Sequence, residues 1–456
     1  MSDQKPREIA GRILNQRTAG ADFVENLLDR ALARSRISGA DRGLCQELVY
    51  GVARWQATLD WLIARKTSGR TQTTALQNLL RLGLYQIFWL DRIPNHAAVN
   101  ETVEQARRDG FGPQSGFVNA VLRGYLREAD ATRQLLEELK TTQPHIGYSH
   151  PEWLVARWQK RWGAEKTARL MEWNNTPPKT YARINSLRFE KFQSSNPRDL
   201  KTAVAPRRRF LERNFNDAGD VLEQWRDEQV DYDFVRGDWF DDNLVFALKS
   251  HPPLSTLPSF QHGLFYVQDP STLLSVNELD PQPGETVLDL CAAPGGKTTY
   301  IAQLMENRGK IVAHDTSPER LKLVEENGAR LGVTCVQRAP AIFPTEQFDR
   351  ILVDAPCSNT GVMRRRVDLR WRIRPEEIER LRTTQLELLR QAARLLKPDG
   401  TLIYSTCSLE PEENREIVKQ FADEHGNFEV DYERELLPFV ESVDGAFVAR
   451  LIRKAT

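Results

Sequence analysis

The stretch Thr286-Val-Leu-Asp-Leu-Cys-Ala-Ala-Pro-Gly-Gly-Lys-Thr-Thr299 decides the fold. Val287, Leu288, Asp289 and Leu290 read as a buried strand, Ala292, Ala293, Pro294, Gly295 and Gly296 as a small-residue turn, and Lys297 as the opening of a helix. Strand, turn and helix N-terminus together bring backbone N–H groups and a helix dipole up to a ligand, an approach that larger side chains would block. Three ligands compete for such a loop. A phosphate loop needs G-x-x-x-x-G-K-[ST]; Gly296-Lys297-Thr298 fits its end, but Cys291 stands at the required first glycine. The dinucleotide fingerprint G-x-G-x-x-G is not present in this order. A loop for S-adenosylmethionine has no phosphate to grip and asks for an acid about twenty residues on, at the end of the second strand, to take the ribose hydroxyls. Asp315 closes the strand at 310–315 and meets that requirement.

Working toward the C-terminus, strand and helix alternate: strands at 287–290, 311–313, 335–337, 351–353 and 401–405, helices at 298–305, 318–331 and 375–396. Alternation of this kind predicts a doubly wound parallel α/β sheet of the Rossmann type, with ligands bound at the carboxyl ends of its strands. Two further motifs fall at such ends, Asp354-Ala-Pro-Cys357-Ser and Ser405-Thr-Cys407-Ser. A lone free cysteine is most often a small buried hydrophobe. Two on the rim that carries the Gly-rich loop, beside a carboxylate, point instead to thiol chemistry at the donor. Carbon 5 of a pyrimidine takes a methyl group from a sulfonium only after carbon 6 has been attacked, and a thiolate suits that reversible addition. Asp354 is placed to stabilise charge developing at the base's N3. A second group must then help release the base, so one cysteine adds and another acid–base group releases.

The rest of the chain bounds the reading. Its 456 residues are 40% hydrophobic and 28% charged, enough for roughly two to four globular domains. No apolar run reaches spanning length and the N-terminus lacks a signal core, so a cytoplasmic protein is expected. Five cysteines, widely spaced and without C-x-x-C, support neither a disulfide framework nor a metal site. The formal net charge is zero, but it is unevenly placed. Arg364, Arg365, Arg366, Arg370, Arg372 and Arg374 lie together around Trp371 with one acid, Asp368, while 217–242 holds ten acids against two arginines. The arginine run is a candidate contact for RNA phosphates, weighed against an ordinary solvated face. From 5 to about 140 apolar residues recur at three and four, as in Leu76, Leu79, Leu80, Leu84, Ile87 and Phe88, predicting an all-helical bundle. Residues 141–265 read as a small α+β connector with the basic cluster Arg207-Arg208-Arg209, and 266–456 as the catalytic domain. A capping signal at Ser149 is expected to start a helix.

The segments R-G-L-C-Q-E-L-V-Y-G-V at 42–52, I-P-N-H-A-A-V-N-E-T-V-E at 93–104 and G-F-V-N-A-V-L-R at 116–123 resemble the RNA-binding NusB domain. His96 among them reads as a hydrogen-bonded core residue. L-D-L-C-A-A-P-G-G-K-T, D-A-P-C-S-N-T-G-V-M-R-R-R and Y-S-T-C-S-L-E-P-E-E-N (404–414) resemble the RNA cytosine-5 methyltransferases of the Sun family. Together they match the RsmB/Sun/Fmu subgroup, which methylates a cytosine of small-subunit ribosomal RNA. The resemblance implies that Cys407 is the nucleophile and that Cys357 assists breakdown of the covalent RNA adduct. It further implies that Cys291 to Lys297 and Asp315 bind S-adenosylmethionine, with Asp354 touching both cofactor and base. It leaves Cys291 without covalent chemistry and the protein acting as a monomer without metal. Relatives carry an acid after the third strand for the adenine amino group; here Val336-Gln-Arg-Ala-Pro-Ala341 has none before Glu346. Lys297 has three candidate partners: the methionine carboxylate, the active-site aspartate and RNA phosphate. RNA contact is expected from Arg364, Arg365, Arg366, Arg370 and Arg372. The competing functions are the same reaction on transfer RNA or large-subunit RNA, and a NusB-like RNA-binding or assembly factor with a dead catalytic domain.

Overall fold

The structure, a computed structural model, describes residues 5–188, 218–340 and 348–454. The cluster Arg207–Arg209 and Glu346 lie outside them. The chain divides into two compact units: residues 1–177 with 363–373, and 178–362 with 374–456. The helices Ala129–Thr142, Pro144–Gly147 and Glu152–Asn175 belong to the first unit.

The first unit is helical from Pro6–Ala19 through Ser115–Arg127 and beyond, and the predicted stripes are its core: Leu28, Leu48, Leu80, Leu84 and Leu122 are fully buried. Gly51 is required by close approach, since a Cβ there would lie 1.9 Å from Cζ of Tyr85. Two local expectations meet a different outcome. Ser149 does not cap the helix it precedes; Pro151 holds the cap position, and Ser149 Oγ accepts from Ala57 N at 3.0 Å. The helix is interrupted at Gly163, whose φ of 82° no helix interior adopts. His96 is exposed in the first turn of Asn95–Arg108 and is no core residue; the buried imidazole is His150, bonded to the carbonyl of Tyr148 and close to Asn174.

The second unit carries two sheets. Strands β1 (Thr180–Ile184), β2 (Asp231–Phe234), β3 (Val245–Ser250) and β4 (Phe265–Val267) form an antiparallel sheet in the order β2-β3-β1-β4. Trp225, from the helix Ala218–Asp227, is buried against Phe246 and Phe265 of this sheet. The larger sheet contains β5 (Thr286–Asp289), β6 (Lys310–Ala313), β7 (Val336–Arg338), β8 (Phe348–Asp354), β9 (Leu396–Thr406), β10 (Phe428–Leu436) and β11 (Ala446–Arg453). Their order is β10-β11-β9-β8-β5-β6-β7. The five predicted strands are parallel, as the alternation requires, and β10 and β11 add an antiparallel edge, making the sheet mixed. That edge went unread because β10 alternates exposed charged residues along Phe428–Leu436, a pattern without a continuous apolar run. Among the described residues no helix is long and apolar enough to cross a membrane.

Candidate active site

The strand order reverses between β5 and β8, and at such a switch point the loops after neighbouring strands diverge to leave a crevice. The register fixes what lines it. Asp289 pairs with Leu352, and Asp354 with Ser405, so the ends of β5, β8 and β9 carry Asp289, Asp354 and the Ser405-Thr406-Cys407 turn to one rim.

The loop after β5 turns tightly. Gly295 N donates to Ala292 O at 2.8 Å, and Gly295 itself sits at φ 103°, a conformation that a side chain would strain. A Cβ on Gly295 would also come within 3.1 Å of Val324 Cα. Ala292 N donates to His314 O and Ala293 N to Asp315 Oδ2, so with Gly295 N three of the loop's N–H groups have partners within the protein. Unpaired donors are instead those expected of the first turn of the helix Gly296–Leu304. Asp315, just past β6, accepts from Ser317 N at 3.0 Å and Ala293 N at 3.3 Å and lies 3.4 Å from the Arg320 guanidinium. A glycine-built turn facing a carboxylate fixed at the neighbouring strand end fits an adenosyl group bearing ribose hydroxyls and no phosphate.

Lys297 answers one of its three alternatives: its Nζ donates to Asp354 Oδ2 at 2.6 Å, while Ser405 Oγ donates to Asp354 Oδ1 at 2.9 Å. Burial pulls the lysine's pKa down, but the charge and hydrogen bond of Asp354 outweigh it and hold the ammonium form. Asp289, buried behind the loop, is pushed up to about 7 by desolvation, and Thr298 Oγ1 donates to it at 2.7 Å.

The two rim cysteines meet. Cys357 Sγ and Cys407 Sγ are 3.3 Å apart, and Cys407 Sγ donates to Asn359 Oδ1 at 3.1 Å. Asn359 adopts a left-handed φ of 57° and donates to the carbonyl of Cys357 at 2.6 Å. Cys357 is buried and its thiol is pushed well above the ordinary value, first by its bond to Cys407 and then by burial. Cys407 is the more exposed of the two. Cys291 is also raised, by desolvation and by the carboxylates of Asp354, Asp289 and Asp315, which disfavours a thiolate there.

One contributor escaped the sequence reading. Arg183 of β1 is buried, donates to Gly296 O at 2.8 Å and to Thr299 Oγ1 at 3.2 Å, and lies over the ring of Tyr300, so it braces the loop helix. An arginine in the apolar run Tyr-Ala-Arg-Ile was its one visible signal. Gln337 of β7, within the segment that lacks the expected acid, is exposed.

The arginine run takes a different course. The chain leaves the second unit after Val362 and returns at Arg374, and the intervening segment belongs to the first unit. There Arg370 is fully buried, donating to the carbonyls of Arg54, Ser149 and Asn174 and to Asn175 Oδ1. Arg364 is buried with its guanidinium 4.0 Å from the ring of Trp173. Arg372 donates to Asp368 and to the carbonyls of Ala21 and Asp22. Arg365 is half-buried and Arg366 exposed. Reading the run as one phosphate-facing surface therefore needs correction for Arg364, Arg370 and Arg372, whose donors face carbonyls, a carboxylate or an aromatic ring.

Five parallel strands with an antiparallel β10–β11 edge, a ligand loop after β5 and an acid after β6 make the fold of a Rossmann-like methyltransferase that uses S-adenosylmethionine. Family models match three stretches of the chain: "16S rRNA methyltransferase RsmB/F" residues 276–452, the NusB family 4–127, and an RsmF/B-like ferredoxin-like domain 150–193. A probable ribosomal RNA small subunit methyltransferase B of Bacillus subtilis is 34% identical over the whole of both chains. The chain thus belongs to the RsmB/F family of methyltransferases. The crystal structure of PH0851 superposes with a TM-score of 0.73 at 25% identity, covering 99% of each chain. NSun6 from Pyrococcus horikoshii, solved with SFG, gives 0.50 at 25% identity over 67% of this chain and 99% of that one.

Proposed function

We propose that this protein methylates carbon 5 of a cytosine in small-subunit ribosomal RNA through a covalent adduct with Cys407. The observation that carries the reading is the pair of thiols 3.3 Å apart next to the Lys297–Asp354 ion pair. When bound, S-adenosylmethionine supplies the electrophilic methyl group, and residues 291–297 with Asp315 hold it. Cys407, the more accessible sulfur, adds as thiolate to carbon 6, which makes carbon 5 nucleophilic. The Lys297 ammonium and Asp354 together stabilise the negative charge that builds at N3. After methyl transfer, Cys357 gives its proton to the departing Cys407 sulfur and takes the proton from carbon 5. The carbon 5–carbon 6 double bond reforms, the carbon 6–sulfur bond breaks, and one proton is released overall. The raised pKa of Cys357 supports this role, since it keeps the thiol protonated until the adduct must break down. The exposed Arg366 is proposed to meet RNA phosphate, with the half-buried Arg365 beside it. The substrate follows the relatives' names, and the same chemistry on transfer RNA or large-subunit RNA is the alternative. Bisulfite mapping of ribosomal RNA from a deletion strain tests it: loss of one small-subunit 5-methylcytosine is expected, and an unchanged pattern would remove that substrate.

A further inference from the structure

Glu413 is a buried carboxylate on which four neutral donors converge. Ser358 N donates to Oε1 at 2.8 Å, Gln385 Nε2 to Oε1 at 3.0 Å, Ser408 Oγ to Oε2 at 2.5 Å, and Ser358 Oγ to Oε2 as well. Ser358 and Ser408 immediately follow Cys357 and Cys407, and their own hydroxyl oxygens are 3.0 Å apart. One side chain therefore ties both cysteine-bearing turns. The turns are also joined by Cys407 Sγ to Asn359 Oδ1 at 3.1 Å, Gly361 N to Cys407 O at 2.9 Å and Leu409 N to Thr360 Oγ1 at 2.8 Å. Burying a carboxylate costs free energy unless donors satisfy it, and this one is satisfied only while both turns keep their places.

We infer that Glu413 is a positioning residue, which sets the spacing between the two thiols by clamping Ser358 and Ser408. It touches neither sulfur. Its effect on catalysis rests on the two-cysteine reading given above, because only a reaction passing from one thiol to the other is sensitive to their separation. Truncation would leave the two turns with only their direct hydrogen bonds to one another, and a displacement of about 1 Å at a reacting group costs on the order of a hundredfold in rate.

The test combines turnover with a measurement of thiol spacing. Phenylarsine oxide is held against excess monothiol only by two adjacent sulfurs, and its retention is read by intact mass, with Cys407→Ser as the zero. In Glu413→Ala, kcat should fall about a hundredfold and arsenical retention should be lost, while S-adenosylhomocysteine binds as in the wild type. Glu413→Gln keeps two acceptor bonds at its carbonyl oxygen and can donate to both serine hydroxyls. It should hold the arsenical and stay within about fivefold of wild-type kcat, as a clamp of preserved geometry predicts. If Glu413→Ala does not fold, Ser358→Ala with Ser408→Ala removes the hydroxyl arms and should lose retention in its place. Full retention in both the Ala variant and the double serine variant overturns the inference. So does a Gln variant as slow as the Ala variant with retention intact, which would mark a proton-transfer role. Lost retention with cysteine variants that still methylate keeps the clamp and sinks the cysteine roles instead.

Discussion

Residues 354–361 and 363–373 are adjacent in sequence and have opposite fates. The first carries Asp354, Cys357 and Asn359 at the rim of the parallel sheet; the second crosses into the helical unit and closes its interior. Both are polar, and the second is the more charged. Polarity therefore does not separate the candidate site from a structural anchor here. The partners do: Arg370 finds carbonyl acceptors, and Asp368 is shared by Arg17, Arg372 and Val24 N. Cys357 and Cys407 find chiefly each other and Asn359.

The largest expected effect would break the first half of that comparison. Cys407→Ala should abolish methyl transfer, and Cys357→Ala should accumulate an RNA–protein adduct that survives denaturant on a gel. Exchanged phenotypes would reverse the two assignments. Next in size is the anchor. Asp368→Ala strands the buried Arg17 and should cost about 3 kcal/mol in denaturant unfolding of the first unit. S-adenosylhomocysteine affinity should stay unchanged, and a loss of affinity would show that the segment serves the rim after all. A smaller effect is pH-dependent. The Asp289 carboxyl, at about 7 in the folded chain, binds its proton more tightly than the ordinary value of roughly 4 in the unfolded chain. Its contribution to stability is thus fully present below about pH 4 and lost as pH rises toward and through 7. Asp289→Asn should flatten that part of the stability profile, with Asp354 and Lys297 still facing the site; an unaltered slope in melts across this range would refute the assignment. Smallest is Arg366→Glu. An exposed substitution should change stability by less than about 0.5 kcal/mol yet weaken RNA binding and lower its salt dependence, read by titration across a salt series.

Much of the site was legible because it is local. A strand, small-residue turn and helix are encoded within 286–299, and Cys291 in place of a glycine excluded the phosphate loop before any fold was known. The parallel strands followed from alternation, and their ends named Asp315, Asp354, Cys357 and Cys407. The antiparallel edge was not legible, since β10 depends on pairing with β11 and carries charges along an exposed face. Neither was Glu413, one of three glutamates within 410–413, until its carboxylate could be seen between two serines about fifty residues apart in the chain.

By itself, then, the sequence determined the class of ligand, because turn geometry is a property of a short segment. The tertiary structure alone decided which arginines are anchors, that Lys297 pairs with Asp354, and that two sulfurs fifty residues apart lie 3.3 Å from one another. Those outcomes depend on burial and on the register between β8 and β9, and both are set by contacts between residues far apart in the chain.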